Sequence, residues 1–166
     1  MKIVILGAGA VGSTLATLLS QEDNDIIVVD SNASCLSHLE EEADIKTVIG
    51  GCSHPNVLIN SDIVEADMVV AVTGSDETNI VSCLISKVLN KSIKTIARIR
   101  ESSYLKNKTL KAMKAGVIPV DVVVSPEQLI TDHVKALIDT PGALQVLEFG
   151  DGSLNLIGVK AVRGGP

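Results

Sequence analysis

Short continuous runs of apolar residues alternate with longer stretches of helical periodicity along this chain. The runs fall at residues 2–6, 25–30, 45–50, 67–73, 94–99 and 121–124 and read as strands. Helical spacing occupies 11–20, 33–43, 77–90, 102–115 and 126–139, with a short turn expected after Pro55. Because the strand runs are continuously apolar rather than alternating, the sheet should be covered on both faces, which is the environment of parallel strands. Right-handed crossovers through the intervening helices then give an α/β fold: a doubly wound parallel sheet of order 3-2-1-4-5-6 with helices on both faces.

Two of the helical stretches carry apolar stripes wider than packing on one sheet requires. The first holds Ile80, Val81, Leu84, Ile85, Val88 and Leu89, and the second Leu129, Ile130, Val134, Leu137 and Ile138. Either a subunit contact or a deep position in the core accounts for such a stripe. After residue 139 the pattern changes. Thr140-Pro141-Gly142 is a breaker, and residues 145–149 and 154–162 flank Gly150-Asp151-Gly152, as a β-hairpin or linker would. The expected organisation is one domain over 1–139, with 140–166 leading through Gly164-Gly165-Pro166 towards a further domain truncated here.

Composition narrows the class. With one Phe, one Tyr and no Trp, the core must be built from Ile, Val, Leu and Ala. A net charge of -6 argues against a general nucleic-acid binder, which needs clustered Lys and Arg to neutralise phosphates. The three cysteines, Cys35, Cys52 and Cys83, lack metal-ligand or disulfide-framework spacing, consistent with a reduced, cytoplasmic protein. His38, His54 and His133 share no ligand spacing and read as structural or exposed, so neither a metal nor a catalytic residue is expected. The opening apolar run is broken by glycines well short of the roughly 20 residues of a membrane span, so no direct membrane insertion is expected.

The most informative motif is Gly7-Ala8-Gly9-Ala10-Val11-Gly12, between the first strand and the first helix. In this position Gly7 permits a tight turn, Gly9 lets the backbone approach a pyrophosphate, and Gly12 lets the helix pack close to the strand. Helix N-terminal amides then supply an anion site. Asp30 ends the second strand, where a carboxylate accepts the hydroxyls of an adenosine ribose and repels a 2′-phosphate. Together they predict a Rossmann-type dinucleotide site taking NAD(H) in preference to NADP(H); ATP, ADP and AMP carry the same ribose. Helix capping is the competing role for Asp30. Ser31 follows it, and the other strand ends reaching the same crevice are Gly50-Gly51-Cys52-Ser53, Thr73-Gly74-Ser75-Asp76-Glu77 and Arg98. Small residues there suit a base and ribose, and Arg98 suits a phosphate. Each is equally readable as a turn, cap or surface ion-pair residue, and Cys52 as a small packing residue.

Taken together these residues resemble the TrkA N-terminal domain family, within the broader regulators of potassium conductance (RCK/KTN). The resemblance rests on the opening Met-Lys-Ile-x-Ile-x-Gly-x-Gly-x-Val-Gly, Asp30, Ala66-Asp67, the stretch from Thr73 to Asn79, and Ile96-Ala97-Arg98-Ile99-Arg100. Asp121 to Glu127, Pro141-Gly142-Ala143 and the stretch from Gly158 to Pro166 extend it. The glycine fingerprint is shared with many dehydrogenases, whereas Thr73–Asn79 with Arg98 and Ser125-Pro126-Glu127 is far more specific. The resemblance implies a regulatory subunit of a Trk-type potassium uptake system that senses NAD(H) or ATP/ADP. It would work as a homo-oligomer, dimer or tetramer, beside a membrane-embedded potassium transporter subunit. Its nucleotide contacts would be Gly7 to Val11, Asp30, Thr73, Gly74 and Arg98. One departure stands out: the family usually places Gly-Asp, a small residue and Thr or Ser after the third strand, whereas Gly51 and Cys52 follow Gly50 here.

Two functions therefore stand against each other. One is a non-enzymatic binding module in which occupancy changes how neighbouring domains sit. The other is an NAD-dependent oxidoreductase completed by a missing C-terminal domain, although no His, Lys or Tyr here stands in a recognisable catalytic motif.

Overall fold

The computed structural model describes residues 1–104, 115–149 and 154–160. Its contacts divide the chain into two units, Met1–Val124 and Ser125–Pro166.

The first unit is a six-stranded parallel sheet of order β3-β2-β1-β4-β5-β6, as the apolar runs predict. Its strands are β1 (Lys2–Leu6), β2 (Asp25–Asp30), β3 (Lys46–Ile49), β4 (Met68–Ala71), β5 (Lys94–Arg98) and β6 (Val122–Val124). Between them stand α1 (Ala10–Ser20), α2 (Ala33–Glu42), α3 (Pro55–Asn60) and α4 (Asp76–Leu89). The turn expected after Pro55 is in fact the six-residue helix α3, with proline in its first turn and a buried Leu58. Proline fits there because its missing N–H is one that a helix start leaves unbonded anyway. The helix expected over 102–115 falls mostly outside the described residues.

Strand alternation sorts the core into two layers. Ile3 and Ile5 of β1, Ile26 and Val28 of β2 and Val70 of β4 pack with Ala16, Leu36 and Leu39 from α1 and α2. Val4 and Leu6, Ile27 and Val29, and Val69 and Ala71 pack on the other face with Leu58 and Cys83 from α3 and α4. Both faces are therefore apolar, and this is why the strand runs show no polar alternation.

Polar anchors at the strand starts hold the register. Asp67 accepts from the Lys2 amide at 2.8 Å and Asp121 from the Thr95 amide at 2.8 Å, each linking the start of one strand to its neighbour. Thr95 is fully buried, and its hydroxyl donates to the Pro119 carbonyl at 3.0 Å. A buried threonine in an apolar sheet is tolerable only with such partners. On α4, the stripe is split: Ile80, Ile85 and Leu89 pack on the core, while Val81, Leu84 and Val88 are 40%, 45% and 71% exposed.

In the second unit, α5 (Pro126–Asp139) precedes an antiparallel pair, β7 (Ala143–Phe149) with β8 (Leu154–Val159), irregular between Ala143 and Gln145. The expected hairpin is present. Its turn at Gly150-Asp151-Gly152 and the terminal Gly164-Gly165-Pro166 lie outside the described residues.

Core and surface positions should separate cleanly. Leu58→Ala should lower the unfolding free energy by about 2–5 kcal/mol, and Val88→Ala should change it by less than about 0.5 kcal/mol. Urea denaturation of both variants checks this; equal losses would show that α3 does not seal the core.

Candidate functional site

The carboxyl ends of β1, β2, β4 and β5 open onto one cavity of about 790 Å³, a size typical of small-molecule sites. The loop after β1 forms one wall. Gly7 has φ +106°, a conformation that L side chains resist, and its amide donates to the Val29 carbonyl at 2.8 Å. At Gly12 a Cβ would stand 1.8 Å from the Gly7 carbonyl oxygen, so the helix meets the loop as closely as it does only because that residue is glycine. Gly9, by contrast, has open space where its Cβ would be, and it lines the cavity.

The starts of α1 and α3 differ from those of α2 and α4. Asn32 caps α2 and Ser75 caps α4 with side-chain hydrogen bonds, and α4 also carries Asp76 and Glu77 in its first turn. At α1 the cap position is Gly9, with no side-chain cap and no acid in the first turn. Gly9, Ala10 and Val11 at that start line the cavity, so the positive end of the helix dipole lies at its wall.

Asp30 holds the loop in place. One carboxylate oxygen accepts the Ala8 amide at 2.7 Å and the other the Asn32 amide at 2.8 Å. Each oxygen keeps capacity for a further donor. Asp30 is therefore both a cavity wall and the tie between the glycine loop and the start of α2; it does not cap α2, which Asn32 does.

The opposite wall is organised by Asn79, a fully buried residue of α4. Its Oδ1 accepts from the Thr73 amide at 2.9 Å and the Thr73 hydroxyl at 2.7 Å, and its Nδ2 donates to the Arg98 carbonyl at 2.8 Å. One side chain thereby joins the loop after β4 to the end of β5. Next to it, buried Asp76 accepts from the amides of Arg100 and Glu101 at 2.9 and 2.7 Å. The Arg100 guanidinium in turn donates to the Gly74 carbonyl.

Of the residues expected at the site, Gly7, Gly9, Ala10, Val11, Asp30, Ser31, Gly51, Cys52, Thr73, Gly74 and Arg98 line the cavity together. Ala8 and Gly12 do not. Ala8 is 5% exposed within the core layer beneath the loop, and Gly12 faces Gly7 and Val72. Ser53 and Ser75, noted only as strand-end residues, also line the cavity, as do Val72 and Thr78. Asp76 and Asn79 fall in the polar opening turn of α4, directly after a strand end, where nothing local sets them apart from Glu77 and Thr78.

Cys52 donates its thiol to the Val29 carbonyl at 3.4 Å. Burial, and after it the Asp30 carboxylate, pushes the thiol up to about 11. Burial likewise raises Cys83, to about 12.

Residues 3–126 match the family described as TrkA-N domain. The chain belongs to the TrkA-N domain family. Among curated relatives, the Trk system potassium uptake protein TrkA of Halomonas elongata is 50% identical across all of this chain, and that of Vibrio alginolyticus 47% identical, also across all of it. The chain spans 36% of the length of each. Among solved structures, the GsuK channel bound to NAD has a TM-score of 0.70 at 22% identity, over 90% of this chain and 25% of that one. The GsuK RCK domain has a TM-score of 0.69 at 25% identity, over 94% of this chain and 32% of that one. The TrkA-N domain thus has the Rossmann-type fold that its glycine loop predicts.

Two measurements check this account. Asn79→Ala leaves the Thr73 amide and the Arg98 carbonyl without their buried partner and should cost about 2–4 kcal/mol of stability, read by urea denaturation; a change within error would mean the loop after β4 is held by other contacts. Because the thiolate is the reactive species, a neutral-pH thiol reagent should label half-buried Cys35 in the native protein and reach Cys52 and Cys83 only on unfolding. Rapid native labelling at Cys52, read by mass spectrometry, would contradict its burial.

Proposed function

We propose that this TrkA-N domain is the nucleotide sensor of a Trk-type potassium uptake system, binding NAD(H) and also ATP or ADP. The observation that carries the reading is the uncapped start of α1 facing Asp30 and Arg98 across one cavity. Phosphates would lie on the amides from Gly9 to Val11, with Arg98 as their cationic partner. Ribose hydroxyls would donate to the Asp30 oxygens, and the same charge would repel a 2′-phosphate. Ala8 and Gly12 support this arrangement from behind, by forming the loop rather than touching the ligand. The TrkA names of the relatives and the NAD of the GsuK channel support the choice of ligand and system.

The domain acts by binding and is not an enzyme; no residue is assigned a catalytic role. A ligand shifts an assembly only through its difference in affinity between two conformations, typically worth about 1–3 kcal/mol. The wall opposite the glycine loop suits that task. A ligand touching Thr73, Gly74 and Arg98 bears on a loop that Asn79 and Asp76 couple to the backbone beyond β5. The domain works as a homo-oligomer, dimer or tetramer, for which exposed Val81, Leu84 and Val88 on α4 offer an apolar surface. It sits in the cytoplasm and meets the membrane through an embedded potassium transporter subunit. No helix among the described residues is long and apolar enough to cross a membrane.

Calorimetric titration with NADH, NAD, NADPH, ATP and ADP tests the reading. NADH or ATP should bind, NADPH at least about tenfold more weakly, and Asp30→Ala should weaken binding by roughly ten- to a hundredfold, the range of one lost charge-assisted hydrogen bond. Asp30→Asn, which keeps an acceptor for the loop, separates the lost charge from a loosened loop. Failure of the native protein to bind any of the five would sink the proposal.

A further inference from the structure

A further cavity, of about 540 Å³, lies between α1 and α2 and is separated from the strand-end cavity by the glycine loop. The chain alternates between the two. Gly7 and Gly9 line the strand-end cavity while Ala8 between them lines the further one; after β2, Asp30 and Ser31 line the first and Ser34 the second. The Asp30 carboxylate joins both walls. It accepts the Ala8 amide at 2.7 Å and the Asn32 amide at 2.8 Å, and the Asn32 side chain in turn accepts the Ser34 amide at 3.0 Å. An occupant touching Ala8 and Ser34 therefore bears on both hydrogen bonds that hold Asp30.

What this cavity offers a ligand is chiefly acceptors. The hydroxyl protons of Ser13, Thr14 and Ser34 are committed to the Gly9 carbonyl, the Ala10 carbonyl and Asn32 Oδ1, at 2.7, 2.8 and 2.7 Å. Only lone pairs remain on those oxygens. Glu42 adds a carboxylate at the last turn of α2, and neither helix contains a Lys or Arg. His38 stands 3.6 Å from Glu42 and 4.0 Å from Glu41, so two carboxylates meet one imidazole. The negative end of the α2 dipole lies at the same turn, where a cation is favourable and further acids are not. Leu39 and Ala8, 2% and 5% exposed, give the cavity an apolar floor.

We propose that this cavity is an effector site for a small organic cation carrying a primary ammonium group, and that its occupant tightens nucleotide binding in the strand-end cavity. An ammonium brings three donors and no acceptor to a wall of acceptors, and its alkyl stem covers Leu39 and Ala8. Among the described residues no His, Cys, Asp or Glu side chains are grouped to hold a metal ion, so the cation is held by hydrogen bonds. By backing Ala8, the occupant keeps the loop amide on Asp30. The effector role rests on the reading of the strand-end cavity as a nucleotide site; the binding of the cation does not.

The probe is the diamine putrescine, titrated by calorimetry into the whole chain at about 0.15 M salt, which screens its general attraction to a net charge of -6. Glu42→Gln should weaken binding by about tenfold or more, the range of one lost charge-assisted hydrogen bond. Glu41→Gln, which removes the same charge outside the cavity, should change it by less than about twofold. Bound putrescine should slow labelling of Cys35, which lines the cavity, by a thiol reagent; butanediol, of the same length but uncharged, should not. Putrescine should lower the Kd for ADP by about fivefold or more, and ADP the Kd for putrescine by the same factor, as linkage requires. Putrescine that does not bind, that binds Glu42→Gln as well as the native chain, or that leaves Cys35 labelling unchanged overturns the inference. Putrescine binding with an unchanged Kd for ADP overturns the effector role and leaves the nucleotide reading intact. If the native protein binds none of ADP, ATP and NADH, the nucleotide reading fails and the effector role with it, while the titration and the Cys35 labelling still decide the cation site.

Discussion

The hydrogen bond from the Ala8 amide to the Asp30 carboxylate, at 2.7 Å, is the contact on which the cavity depends. It draws the loop after β1 against the end of β2, and the Gly7 amide on the Val29 carbonyl fixes the same loop one residue earlier. With Ala8 turned inward, Gly9 is left facing the cavity and the first turn of α1 follows without a cap. The contact also sets the start of α1 beside a carboxylate at the cavity wall. One carboxylate thus serves both the loop and the cavity wall.

The opposite wall follows the same economy of parts with a different residue type. Asn79 offers an acceptor to Thr73 and a donor to Arg98, which an apolar residue in this helix position does not. A buried amide is tolerable only when its hydrogen bonds are made, and once made they fix a single geometry. Asp76 repeats the device one turn earlier, with the amides of Arg100 and Glu101. The loops after β4 and β5 are thus tied to each other through α4.

Register in the sheet is a separate problem, since uniformly apolar parallel strands could slide by two residues without exposing polar groups. The aspartates at strand starts remove that freedom. Asp67 on the Lys2 amide and Asp121 on the Thr95 amide are directional contacts that a slipped pairing would break. The aligned strand ends, and with them the cavity, are the consequence.

The order of the strands, the two-sided burial and the family were legible in the chain because each depends on local pattern: continuous apolar runs, a glycine loop between a strand and a helix, and an acid at the next strand end. The hairpin of residues 143–159 was legible for the same reason. The helix after Pro55 was not, because six residues are too few to show a period and α3 is defined by Leu58 packing on the core. Nor could the sequence show that Ala8 and Gly12 build the loop from behind or that Asn79 bridges two strand ends. These are relations between residues on different elements, fixed only when the sheet assembles. Local spacing determines which elements form, and tertiary packing decides which side chains meet at their ends.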